Sequence, residues 1–124
     1  MGILNARPKL EPGEQLRFDV LANHVGVSSL YGVKAASGGR LVVTDRRVFF
    51  TPSRLDSVFS KKGWECPVGA VTGIEVVGRD AEDVFGGGMR ERLGIRTADG
   101  REVFVVSRLE ERMAELRPLF PHAA

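Results

Sequence analysis

Two apolar runs separated by two polar residues constrain this chain more than any other feature in it. Leu41-Val42-Val43-Thr44 and Arg47-Val48-Phe49-Phe50 are rich in β-branched and aromatic residues and flank Asp45-Arg46. Such side chains suit a pleated, half-buried surface, and a short polar link between two such runs reads as an antiparallel hairpin. With Asp45 and Arg46 as the turn, Thr44 faces Arg47, Val43 faces Val48 and Leu41 faces Phe50. Leu41, Val43, Val48 and Phe50 then share one face, the expected core face. The Asp45 carboxylate suits a turn because it can accept nearby backbone N–H groups. Pro52, with no N–H to donate, is expected to end the second strand.

Further elements follow from the same kind of patterning. Residues 1–15 contain Pro8, Pro12 and Gly13 and read as a loose lead-in. Leu16, Phe18 and Val20 alternate with Arg17 and Asp19, the period of a strand with one buried face. Residues 24–33 are apolar with two glycines and suggest a second, less regular strand, and residues 34–39, small and rich in Gly and Ser, suggest a loop. Residues 53–60 read as another loop. A short strand at 63–67 is stopped by Pro67, and Val71, Ile74, Val76 and Val77 mark a further strand over 71–77. Residues 79–88 form a long acidic and glycine-rich connection. Ala98-Asp99-Gly100 separates two apolar runs, residues 93–95 and 103–106. A two-residue Asp-Gly turn and a three-residue loop with a bulge both fit, and the choice decides whether Val103 or Phe104 faces the core. The chain ends in a helix. Ser107 and Glu110 have capping-box spacing, Leu109, Met113, Leu116 and Phe120 make one apolar stripe, and Pro118 stops it.

Six or seven strands followed by one amphipathic helix predict a mainly β domain, a curled sheet or barrel with the helix over an open end. A chain of 124 residues is long enough for one core and too short for two. The expected division is a lead-in at 1–14, one domain at 15–120 and a tail at 121–124. The single cysteine, Cys66, excludes an intramolecular disulfide and any multi-cysteine zinc site. Residues 1–10 lack the apolar run of a signal peptide, and no window holds 18 consecutive apolar residues. A cytoplasmic location is expected.

The run from Gly39 to Phe50, Gly-Arg-Leu-Val-Val-Thr-Asp-Arg-Arg-Val-Phe-Phe, resembles the core hairpin of GRAM domains and of related bacterial PH-like domains. The downstream order is also similar: a strand bearing Trp64, an apolar strand, a glycine-turn hairpin and a helix. The resemblance spans about residues 14–120 and implies the pleckstrin-homology superfold. That fold is a barrel of two nearly orthogonal antiparallel sheets, about seven strands in all, plugged at one end by a C-terminal α-helix. It implies a non-catalytic module that binds lipid headgroups or proteins. By position, the resemblance places Lys34, Arg40, Lys61 and Lys62 where such domains hold anions.

The charge distribution points the same way. Residues 31–62 carry seven bases against Asp45 and Asp56, a net +5, while the whole chain is only +2. A net charge of that size does not call for nucleic acid, but a basic middle third is a candidate anion-facing side, or simply a solvated one. Arg54, Lys61 and Lys62, with Phe59 as an apolar anchor, could meet anionic lipid headgroups, unless Phe59 packs beneath its own loop. Phe85, before three glycines, could contact a protein partner or tuck onto the barrel. Arg46 and Arg47 could clamp a phosphate, but structural pairing is the favoured reading of two arginines that come with the hairpin. Asp80, Glu82 and Asp83 lack the spacing of a calcium loop, and no nucleophile or acid–base set stands out. No metal, cofactor or enzymatic activity is expected. The expected partners are anionic membrane lipids met peripherally, or a protein, which includes a second copy of the chain.

Overall fold

The hairpin at residues 41–50 forms in the register its pattern requires, and the rest of the sheet is assembled around it. The computed structural model describes residues 10–30, 33–52, 63–78 and 91–123, with backbone alone at 26–30 and 33–37. The strands are β1 (Leu16–Leu30), β2 (Val33–Thr44), β3 (Arg47–Pro52), β4 (Trp64–Pro67), β5 (Val71–Val77), β6 (Arg92–Thr97) and β7 (Gly100–Val105). A single 3-10 turn, Val68–Ala70, joins β4 to β5, and the helix α1 spans Leu109–Leu116 before a 3-10 turn at Arg117–Leu119. All neighbouring strands are antiparallel, in the order β4-β3-β2-β1-β7-β6-β5. The hydrogen-bonded result is one open seven-stranded sheet, with β4 and β5 at its edges, where two sheets closed into a barrel were expected.

In the hairpin, Val43 pairs with Val48, Val42 with Phe49 and Leu41 with Phe50. Leu41, Val43, Val48 and Phe50 all enter the core, as the alternation predicts. The opposite face is buried too: Val42 is 0% and Phe49 5% exposed. A row explains this. Asp19 on β1, Val42, Phe49 and Glu65 on β4 are successive cross-strand partners on the outer face. The Asp19–Arg40 and Arg47–Glu65 ion pairs flank the row, and the Arg47 guanidinium lies 4.2 Å over the Phe49 ring. Aliphatic stems under charged heads cover the apolar pair.

β1 corrects the expectation of two strands and a loop. It is one 15-residue strand, paired along its length with a 12-residue β2 that absorbs residues 34–39. Among the small residues that suggest a loop, Gly39 permits a close approach. Gly39 lies between Ala22 and Pro52, and a Cβ there would collide with the Thr51 carbonyl oxygen and sit 2.8 Å from Pro52 Cα. Phe18, Val20, Ala22 and His24 line the inner face of β1. Leu16 does not join them; a register shift between Leu16 and Phe18 leaves it 48% exposed. In the second hairpin Thr97 pairs with Gly100, so the turn residues are Ala98 and Asp99. Gly100, at φ +134°, takes a conformation that suits glycine alone, and Phe104 is the residue that enters the core.

The helix stripe is as read: Met113, Leu116 and Phe120 are buried and Leu109 packs against them. Its start is not. Ser107 forms no cap; the N-cap is Arg108 in the left-handed region (φ 53°), with no side-chain cap hydrogen bond. Val106 remains buried at the end of β7, so the chain must reverse within two residues to bring Leu109 back onto the core. Arg108 takes up that reversal. Glu110 and Glu111 supply the negative charge that the first turn favours.

The close approach at Gly39 gives a direct test. Gly39→Ala is expected to lower unfolding stability by about 2 kcal/mol or more, because backbone rather than a flexible side chain must move. Gly69→Ala, with nothing within 4 Å of the added methyl, should stay within about 0.5 kcal/mol of the parent in the same urea titration.

Candidate functional site

Two polar centres are built into the described part of the fold, and neither is the basic surface read from the sequence. Of the candidate anion-binding residues, Arg40 lies on β2 and donates to Asp19 Oδ1 at 2.8 Å. Lys34 lies on β2 opposite Ser29, among the residues described by backbone alone. Arg54, Phe59, Lys61, Lys62 and the partner-contact residue Phe85 lie outside the described residues. So do the acids Asp80, Glu82 and Asp83. The net +5 of residues 31–62 is also smaller in space than in sequence, since Arg40 and Arg47 pair with Asp19, Glu14 and Glu65 from outside that third.

The first centre is Glu14–Thr44–Arg47. The side chain of Glu14 is fully buried at the end of a lead-in that was expected to be loose. Its carboxylate accepts the Glu11 N–H (2.9 Å), the Thr44 hydroxyl (2.6 Å), and Arg47 Nε and Nη2 (2.8 and 3.0 Å). Four donors satisfy a carboxylate completely. The Thr44 oxygen in turn accepts the N–H groups of Arg46 and Arg47, both at 3.1 Å. Thr44 therefore caps the hairpin turn, a role expected of Asp45. Asp45 instead accepts the Gln15 N–H at 2.9 Å and donates its own N–H to the Gln15 carbonyl. The Arg47 guanidinium holds the Glu14 carboxyl down at about 2, and the reciprocal attraction raises Arg47. This arrangement bears out the structural reading of Arg47 over the phosphate clamp.

The second centre is His24, which sequence reading passed over. Its ring is stacked on Phe104 (centroids 4.6 Å apart, 16° between planes) and leans on Phe50 at 5.1 Å and Trp64 at 6.4 Å. Nε2 is 2.6 Å from Glu102 Oε1. His24 is 1% exposed, while the Glu102 side chain is 35% exposed. Burial pulls the His24 pKa down, against the opposing pull of Glu102. Cys66 packs nearby against the core; burial, with Glu102 and Glu65 adding to it, pushes its thiol up to about 11. A thiol so high is a poor nucleophile at neutral pH. The available signal was the period of β1: carried two residues past Ala22, it puts His24 on the inner face.

The described surface carries shallow hollows, one of about 320 Å³ at the helix start beside Glu91 and Arg108–Glu111. A groove of about 290 Å³ between β1 and α1 is lined by Arg17, Phe18, Asp19, Val20, Arg112 and Glu115, with charges of both signs. Across β5–β7, Glu75 bridges Arg96 and Arg101, which lower its pKa. Among the described residues, no three His, Cys, Asp or Glu side chains cluster to hold a metal ion, and no helix is long and apolar enough to cross a membrane.

Glu14 makes stability depend on acid in a predictable sense. Its pKa is about 2 in the folded chain against an ordinary 4.5, so its contribution is complete above 4.5 and is lost as pH falls toward 2. Glu14→Gln is expected to lower the denaturation midpoint at neutral pH and to flatten its decline across that acid window, as read by urea unfolding at a series of pH values.

No family model matches this sequence, and no curated protein does. Among solved structures, the chain is similar to the C-terminal domain of an unknown protein from Leishmania infantum, at 12% identity and a TM-score of 0.56. The match covers 88% of this chain and 86% of that one. At that identity the likeness is one of fold.

Proposed function

We propose that this chain is a non-catalytic binding module of the PH/GRAM type, whose ligand is an anionic lipid headgroup met at the membrane surface. The observation that carries the reading is the combination of the Thr44–Arg47 hairpin turn with the strand order β4-β3-β2-β1-β7-β6-β5 and the helix packed over β5 and β6. The ladder between β1 and β7 holds only two residue pairs. It divides the sheet into a four-stranded and a three-stranded half, which supports two sheets packed face to face in the PH manner.

A non-catalytic role is supported by what the titratable groups are doing. Glu14 and Arg47 are spent on each other, His24 is enclosed by aromatic rings, and the Cys66 thiol is held protonated. The cations left for a headgroup are Lys34, Arg54, Lys61 and Lys62, with Phe59 as the apolar anchor. Arg40 leaves this group because Asp19 already neutralises it. Each lysine or arginine near an anionic surface contributes about 1 kcal/mol, so affinity should be modest and sensitive to salt.

A second reading, a protein-interaction module, draws on the groove between β1 and α1 and on edge strand β5, which pairs only with β6 among the described strands.

Co-sedimentation with vesicles separates the two. Binding to vesicles containing phosphatidylserine, absent from phosphatidylcholine alone and reduced by added salt, is the expected result. Lys61→Glu with Lys62→Glu should weaken it on the order of tenfold or more. Equal, negligible sedimentation with both vesicles overturns the lipid reading, and a concentration-dependent mass in analytical ultracentrifugation would then favour self-association.

A further inference from the structure

The two halves of the sheet are joined by a seam of two residue pairs, Asn23 with Val105 and His24 with Phe104. His24 spans that seam, beside the ring contacts of Phe104 with Phe50 and Trp64, each at 5.8 Å between centroids. His24, on β1, reaches Glu102 on β7 at 2.6 Å, while its ring touches Phe104 of β7, Phe50 of β3 and Trp64 of β4. An ionised carboxylate can only accept, so the proton in the His24–Glu102 bond belongs to Nε2. Nδ1 is then a bare lone pair. It is buried and, among the described residues, has no hydrogen-bond partner. A missing donor is tolerable for a neutral ring; a second proton at Nδ1 would create a buried N–H with no acceptor and a charge compensated on one side only.

We propose that the β1–β7 seam is a proton-operated joint, in which protonation of His24 at Nδ1 is accommodated by parting the seam until water reaches that nitrogen. Acidification thereby loosens the link between the two halves while the β2–β3 hairpin stays intact. Glu102 is the titratable group that faces the ring from β7. Cys66 is the one on β4, and its thiol, at about 11, stays neutral throughout the acid range. The other described side chains around the ring, Phe50, Trp64 and Phe104, carry no charge. The direction follows from linkage. Burial lowers the His24 pKa in the closed seam, so the open seam binds more protons, and falling pH favours it.

The test uses the full chain and NMR. The His24 ring resonances are titrated, and backbone amide exchange, corrected for the intrinsic effect of pH, is compared at about pH 7.5 and about pH 5. His24 is expected to titrate below its ordinary 6.5. Protection of the two amides that bond across the seam, those of one of the pairs Asn23–Val105 and His24–Phe104, should fall about fivefold or more relative to amides of residues 43–48. His24→Gln retains a donor for Glu102 and cannot take the second proton, so in that variant the ratio should be independent of pH. Titration of His24 at or above 6.5, or a seam-to-hairpin ratio in the wild type that does not change with pH, overturns the proposal without recourse to the variant.

Discussion

The bidentate contact between Arg47 and Glu14 is the constraint on which the upper part of the sheet depends. It joins three segments remote in sequence: the lead-in, the hairpin turn and, through Glu65, edge strand β4. Because the carboxylate also takes the Thr44 hydroxyl, the turn between β2 and β3 and the entry into β1 have one common anchor. The same guanidinium covers Phe49, so the outer apolar row is sealed by the group that fixes the register. Charge satisfaction and apolar burial are not separable here, since removing Arg47 would leave the buried Glu14 carboxylate without its ion-pair partner and uncover Phe49.

Much of this fold was legible where local pattern and tertiary environment agree. Leu41, Val43, Val48 and Phe50 alternate, and each occupies the core. The helix stripe from Leu109 to Phe120 reads as well, because nothing competes with its period. Legibility failed where small residues were taken as punctuation. Gly38 and Gly39 look like a loop in one dimension; in space Gly39 allows β2 to lie tightly against Thr51, Pro52 and the Phe50 ring. The helix start failed for another reason. Capping-box spacing is local, but the burial of Val106 and Leu109 on either side of the reversal is not, and it moves the cap to Arg108. The second turn fell between the two offered alternatives because Gly100 is the first residue of β7 and not part of the loop.

The site was less legible than the fold. Charge counted along the chain assigns Arg40 and Arg47 to a basic surface, yet their partners Asp19, Glu14 and Glu65 come from other segments. Ion pairing across a sheet cannot be read without the register, and the register past residue 23 was lost when the first strand was cut short. The same cut hid His24. A histidine on a strand's inner face is conspicuous only if the strand is known to continue.

The two-pair seam has a kinetic consequence. The bond between His24 and Glu102 closes a span of 78 residues, whereas the β2–β3 turn closes over two. The entropy of bringing such distant segments together must be met before their burial contributes anything, so contacts of this kind set the pace of folding in sheet proteins. The hairpins can form early from neighbours in sequence. Docking of the C-terminal three strands and helix onto β1 is left as the slow step, and until it happens the inner faces of both halves stand open to solvent and to other chains.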